Sequence, residues 1–124
     1  MDLFQNQGAK LSNPGAQFTG TTCYYRIGRQ HLLTDGTQYL AEQAGCYSIM
    51  DAVSSHVTEI GTQDWFVVVR IEVENHQAVM RYEDGNGREL ARQAIPYTDF
   101  PLSNLTLYAV WDTQHWVIML PSEY

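Results

Sequence analysis

Two Thr-Asp dyads, Thr34-Asp35-Gly36 and Thr98-Asp99-Phe100, are the strongest candidates for chemistry in the sequence. A local account exists for both. Asp35 suits a helix N-cap with Gln38 at N3, and Asp99 suits an Asx-turn between Pro96 and Pro101. A chemical account brings both carboxylates to one end of a sheet as an acid/base pair or cation site, with His31 completing a small hydrolase or metal enzyme. Such a pair works only within a few ångström, where each charge perturbs the other. The histidines, His31, His56, His76 and His115, show no HxH, HxxxH or HExxH spacing, so no metal site is readable. Asp84, Asn86 and Glu89 fail as a calcium loop because Arg88 stands where an oxygen ligand is needed. Cys23 and Cys46 form no CxxC. There is no GxSxG elbow, no GxGxxG and no P-loop, and Ser54, Ser55 and His56 fan out around a helix. Asp51 and Ser55 are helix neighbours at i and i+4. No cofactor is expected.

The elements that must position these residues follow from periodicity. Residues 1–17 read as a flexible arm and 18–124 as one domain. Phe18 to Ile27 reads as a short β segment. The spacing predicts one helix that starts after the Asp35 N-cap and continues through Tyr39, Leu40 and Ala44, with Gly45 at C′. A second carries Cys46, Ile49, Met50, Val53, Val57 and Ile60 on one face and ends at Gly61. After Gly61 the period becomes two: Trp65, Val67, Val69, Ile71 and Val73 share a face, and Phe66, Val68, Arg70, Glu72 and Glu74 share the other. Asn75-His76 is a tight turn, and Asp84-Gly85-Asn86-Gly87 a hairpin signal. Strands follow at Glu89–Ile95, Leu105–Trp111 and His115–Leu120. The expected fold is α+β, with two N-terminal helices packed on one face of an antiparallel sheet of about five sequential strands.

Composition narrows the partners. The 124 residues carry a formal charge of −7, which disfavours direct binding to nucleic acid or to an anionic membrane surface. Apolar runs such as Trp65 to Val69 are far too short to span a bilayer. Met1–Gly8 lacks the basic and apolar regions of a signal peptide, so a cytoplasmic location is expected. Four Phe, eight Tyr and three Trp are many for this length. Tyr24, Tyr25, Tyr97, Phe100, Tyr108, Trp111 and Trp116 suggest core packing or a subunit interface, since both favour large flat side chains.

Four motifs occur in order: Phe18-Thr19-Gly20, Leu33-Thr34-Asp35-Gly36, Tyr97-Thr98-Asp99-Phe100-Pro101-Leu102 and Leu120-Pro121-Ser122-Glu123-Tyr124. Together they resemble an uncharacterised bacterial family, a domain of unknown function, over residues 18–124. The sequence departs from that family's pattern at Ser48, where members often carry Trp. The resemblance implies no reaction or ligand, but it directs attention to Asp35, Asp51, Asp99, Glu123 and Tyr124. With Tyr25, His31 and Tyr97 these are the candidate binding residues.

The leading expectation is a non-catalytic interaction or accessory module that forms a homo-oligomer, or binds a protein partner, through an aromatic-rich sheet surface carrying Trp111 and Trp116. A second expectation is an acidic blocker of a basic nucleic-acid-handling protein. Residues 61–124 hold four arginines against nine carboxylates, but Arg70, Arg81 and Arg88 interleave with Glu72, Glu74, Glu83, Asp84 and Glu89. The Asp/His hydrolase is the third.

Overall fold

The computed structural model describes residues 10–11 and 23–124. Strands β1 (Lys10–Leu11), β2 (Tyr24–Gly28) and β3 (His31–Leu33) precede helices α1 (Asp35–Ala44) and α2 (Tyr47–Ile60). Five strands follow: β4 (Phe66–Glu74), β5 (Gln77–Glu83), β6 (Glu89–Ile95), β7 (Asn104–Trp111) and β8 (Trp116–Met119). A 3₁₀ turn, Pro121–Glu123, comes last.

The fold is α+β, as expected, but two features of the expectation are corrected. Among the described residues eight strands form the sheet rather than about five, and their order is β1-β2-β3-β8-β7-β4-β5-β6. The helices sit between β3 and β4 rather than ahead of the sheet. Short strands such as His31-Leu32-Leu33 hold too few residues to show a period, and they form because β8 pairs with them in parallel. Of the arm expected over 1–17, Lys10–Leu11 pairs with β2, and the remainder lies outside the described residues, as does Phe18-Thr19-Gly20.

β4 pairs with β7 rather than only with its hairpin partner β5. Burial explains the exchange. β7 places Leu107 and Ala109 in one apolar cluster and Val110 in another, so it needs cover on both faces. β6 carries Glu89 and Arg92 and takes the edge, where charge discourages further pairing. The connection from β6 to β7 is tied back by Thr98 N–H to the His76 carbonyl (2.8 Å) and Val73 N–H to the Ser103 carbonyl (2.8 Å).

The larger cluster joins Ile49, Met50, Val53 and Val57 of α2 to Val67, Val69 and Ile71 of β4, to Met80 and Tyr82 of β5, and to Ile118 of β8. Each fully buried aliphatic side chain of this kind contributes about 1.5–3 kcal/mol. Tyr24, Leu32, Val110, Val117 and Met119 make the second cluster, with Phe66 and Tyr108 against it.

Candidate functional site

The start of α1 brings two of the four motifs together. Thr34, not Asp35, is the N-cap: its Oγ1 accepts from Thr37 N–H, and Thr37 Oγ1 accepts from Thr34 N–H at 3.0 Å. A threonine pair closes the reciprocal box that Asp35 and Gln38 were expected to make, because Asp35 lies one residue inside the helix. Beneath it lies Glu123, 5% exposed. Its Oε1 accepts from Thr34 Oγ1 (2.6 Å) and Leu120 N–H (2.9 Å), and its Oε2 from Gly36 N–H (2.8 Å). A carboxylate at a helix N-terminus meets both free N–H donors and the positive end of the helix dipole. Gly36 is required by close approach, since a Cβ there would lie 2.7 Å from Glu123 Oε2 and 2.8 Å from a Leu120 methyl. Thr37 Oγ1 also donates to the Ile118 carbonyl at 2.7 Å, tying α1 to β8. The cluster is a clasp between the start of α1 and the 3₁₀ turn Pro121–Glu123, and its polar groups are used within it.

Asp35 instead accepts from the Tyr25 hydroxyl. Burial first, then the negative charge of Asp35, holds the Tyr25 phenol above its ordinary pKa. The second dyad lies elsewhere. Tyr97 stacks on His76 (5.6 Å) and donates to Asp99 Oδ1 at 2.7 Å, and that bond raises the Tyr97 pKa. Thr98 Oγ1, not Asp99, makes the turn, accepting from Phe100 N–H at 3.1 Å. Phe100 plugs the core at 6% exposure. This segment and the α1–α2 junction line a cleft of about 230 Å³ that includes Ala44, Cys46, Ser48 and Asp99. Burial pushes the Cys46 thiol up to about 11, so it holds its proton at neutral pH. Cys46 is a free thiol.

Asp35 opens α1 and Asp99 lies beside its end, so a helix of ten residues, about 15 Å, separates them. His31 joins neither. Its Nε2 bonds Thr58 Oγ1 at 2.9 Å, and burial lowers its pKa. Thr58 Oγ1 donates to the Ser54 carbonyl at 2.9 Å, so Nε2 is the donor toward Thr58. Asp51 is exposed on α2. Among the described residues no three His, Cys, Asp or Glu side chains are grouped as metal ligands. Of the eight candidates the structure therefore pairs Tyr25 with Asp35 and Tyr97 with Asp99. It buries Glu123 in the clasp and sends Tyr124 to a different surface.

That surface was not anticipated. Tyr124 packs on Phe66 (5.3 Å) and Tyr108 (5.8 Å), and Trp65 meets Phe66 edge-on at 6.0 Å. Trp65 is 54% and Tyr124 50% exposed, and with Asp64 and Gly85 they line a cleft of about 470 Å³. The aromatic interface expected at Trp116 is corrected: Trp116 is 2% exposed and belongs to the larger core cluster. The period of two set Trp65 on the face of Val67, Val69 and Ile71, and that is corrected: those three are buried, but Trp65 precedes the first residue of β4, where the alternation does not yet hold. Its exposure is therefore invisible to the period of two.

The charged end of the sheet is internally balanced. Register sets Arg70 opposite Arg81 and Arg81 opposite Arg92. Each arginine reaches a carboxylate: Arg70 to Glu83 (3.0 Å), Arg81 to Glu72 (2.9 Å) and Arg92 to Glu89 (2.9 Å). Arg88 likewise reaches Asp84 at 3.4 Å. The sheet thus presents paired ions rather than a phosphate-like row of carboxylates.

Comparison with known proteins adds one finding. No curated protein and no solved structure matches the chain. A family model described as a family of unknown function matches residues 10–124, a span that contains all four motifs. On that match the chain belongs to the family of unknown function DUF6876.

Proposed function

We propose that the protein is a non-catalytic interaction module that self-associates through the surface around Trp65 and Tyr124. The observation that carries this reading is the half-exposure of those two rings beside Phe66, over a cleft of about 470 Å³. Large aromatic side chains grouped at a surface are the usual anchors of protein contacts, because they bury much area for little lost side-chain entropy. The ionisable candidates support the reading from the other side. Glu123, Asp35, Asp99 and His31 each bond within the fold, and the two aspartates lie at opposite ends of α1.

Light scattering of the full chain across a dilution series tests the reading. The expected result is a dimer that shifts toward monomer in Trp65→Ala, while circular dichroism stays unchanged. A wild-type monomer at about 100 μM, weaker than any useful self-association, would overturn it.

A further inference from the structure

We propose that the cleft at Trp65 is a cation site, and that its occupant is Arg29 from a second copy of this chain. The inference rests on the self-association reading and names the contact that makes it.

The cleft has the composition of a cation site. Trp65, Phe66 and Tyr124 present ring faces and edges at steep angles, with Trp65 and Phe66 inclined by 61° and Phe66 and Tyr124 by 60°. Walls of this kind attract a guanidinium through the ring quadrupole, and Trp does so best. Asp64 stands at the same cleft, and among the described residues no arginine or lysine bonds it. Asp84, on the far side, is already engaged by Arg88 and by the N–H groups of Asn86 and Arg88. The unused negative charge is therefore that of Asp64.

The molecule also holds an unused cation. Arg70, Arg81, Arg88 and Arg92 each pair with a carboxylate. Among the described residues Arg26 and Arg29 reach no carboxylate, and they occupy β2 and the turn into β3. Arg26 Nη1 donates to the Arg29 carbonyl at 2.8 Å, which braces the turn and leaves the exposed Arg29 side chain as the one that can reach outward. Arg26 is then a positioning residue and Arg29 the docking cation.

Placement makes the contact reciprocal. Trp116 N–H donates to the Gln30 carbonyl (2.7 Å), and Trp111 N–H donates to the Trp65 carbonyl (2.8 Å). Trp111 and Trp116 pair across the β7–β8 hairpin. The Arg29 turn, that hairpin and Trp65 thus follow one another along the same end of the sheet. Three strand spacings, about 14 Å, separate β3 from β4. A two-fold axis near the hairpin sets Arg29 of each copy over Trp65 and Asp64 of the other, so one dimer contains the contact twice and leaves neither site open.

The test is a charge exchange read by sedimentation of the full chain. Arg29→Glu and Asp64→Lys each weaken dimerisation roughly 30-fold or more, since each removes two contacts per dimer. The double variant Arg29→Glu/Asp64→Lys restores it, and raising salt weakens the wild-type dimer. Arg29 is exposed and Asp64 half-buried at the cleft, and unchanged circular dichroism confirms that the variants fold. A dimer indifferent to Arg29→Glu overturns this inference and leaves self-association standing. Single variants that weaken the dimer without rescue in the double variant overturn the Arg29–Asp64 pairing. A wild-type monomer overturns both readings.

Discussion

At the scale of single residues, the motif Leu33-Thr34-Asp35-Gly36 is explained by what lies under it rather than by what it could react with. Thr34 caps α1, and Gly36 has no side chain because Glu123 occupies the space a Cβ would need. Glu123 in turn accepts from the Thr34 hydroxyl and the Gly36 N–H at the helix start. Gly36→Ala forces the carboxylate or the Leu120 methyl to move, so we expect a loss of about 1–3 kcal/mol in urea denaturation. Glu123→Gln places an NH₂ group among donors and should cost a similar amount, about 1–3 kcal/mol. A Gly36→Ala midpoint equal to that of the wild type would show that the clasp is looser than its distances. Asp35 was legible as a helix-start residue, but its partner Tyr25 was not, since the two meet only when β2 lies beside α1.

At the scale of elements, turns and periods were legible and pairings were not. Asn75 and His76 have φ of 52° and 61°, and Gly87 has 89°, as the tight turns there require. The β7–β8 hairpin is different. Thr113, a β-branched residue, has φ of 82° in the left-handed region. It is kept there by Asp112, whose Oδ1 accepts from the N–H groups of Gln114 (2.9 Å) and His115 (2.7 Å). Thr113→Gly relieves the strain, although glycine also gains freedom in the unfolded chain. The net expectation is a gain of about 0.5–1 kcal/mol in thermal and urea denaturation. A loss of stability would mean that the Thr113 side chain makes contacts that outweigh its backbone strain.

At the scale of the whole molecule, stability is bounded on both sides of neutrality by buried groups. Burial lowers the His31 pKa, so the native state favours the neutral ring. That contribution is present above the ordinary histidine value of about 6.5 and is lost as pH falls below it. Burial raises the Cys46 thiol to about 11 from 9.0, and raises Tyr82 and Tyr25 as well. The Cys46 contribution is present below 9.0 and is lost as pH rises from there through about 11, and the tyrosine contributions are present below 10.0 and are lost at higher pH. Urea midpoints measured across pH should therefore form a plateau near neutrality. His31→Asn should flatten the acid side and Cys46→Ala the alkaline side. A Cys46→Ala profile as steep as that of the wild type above pH 9.0 would assign the alkaline loss to the tyrosines instead.

The sequence by itself determined the helices, their apolar faces, the strands from β4 onward and the turns between them. Each depends on residues a few positions apart, where spacing, capping and allowed φ act directly. Tertiary structure alone decided the rest. Gly36 and Glu123 are 87 residues apart, and nothing local in either segment records that one vacates space for the other. Strand order went the same way: β7 displaced β6 beside the core of the sheet because it is apolar on both faces, a comparison between strands that no single stretch contains. The exposure of Trp65 and the burial of Trp116 follow from that order. A side chain's accessibility is set by whichever strands and helices arrive against it, and those contacts are made across the whole chain.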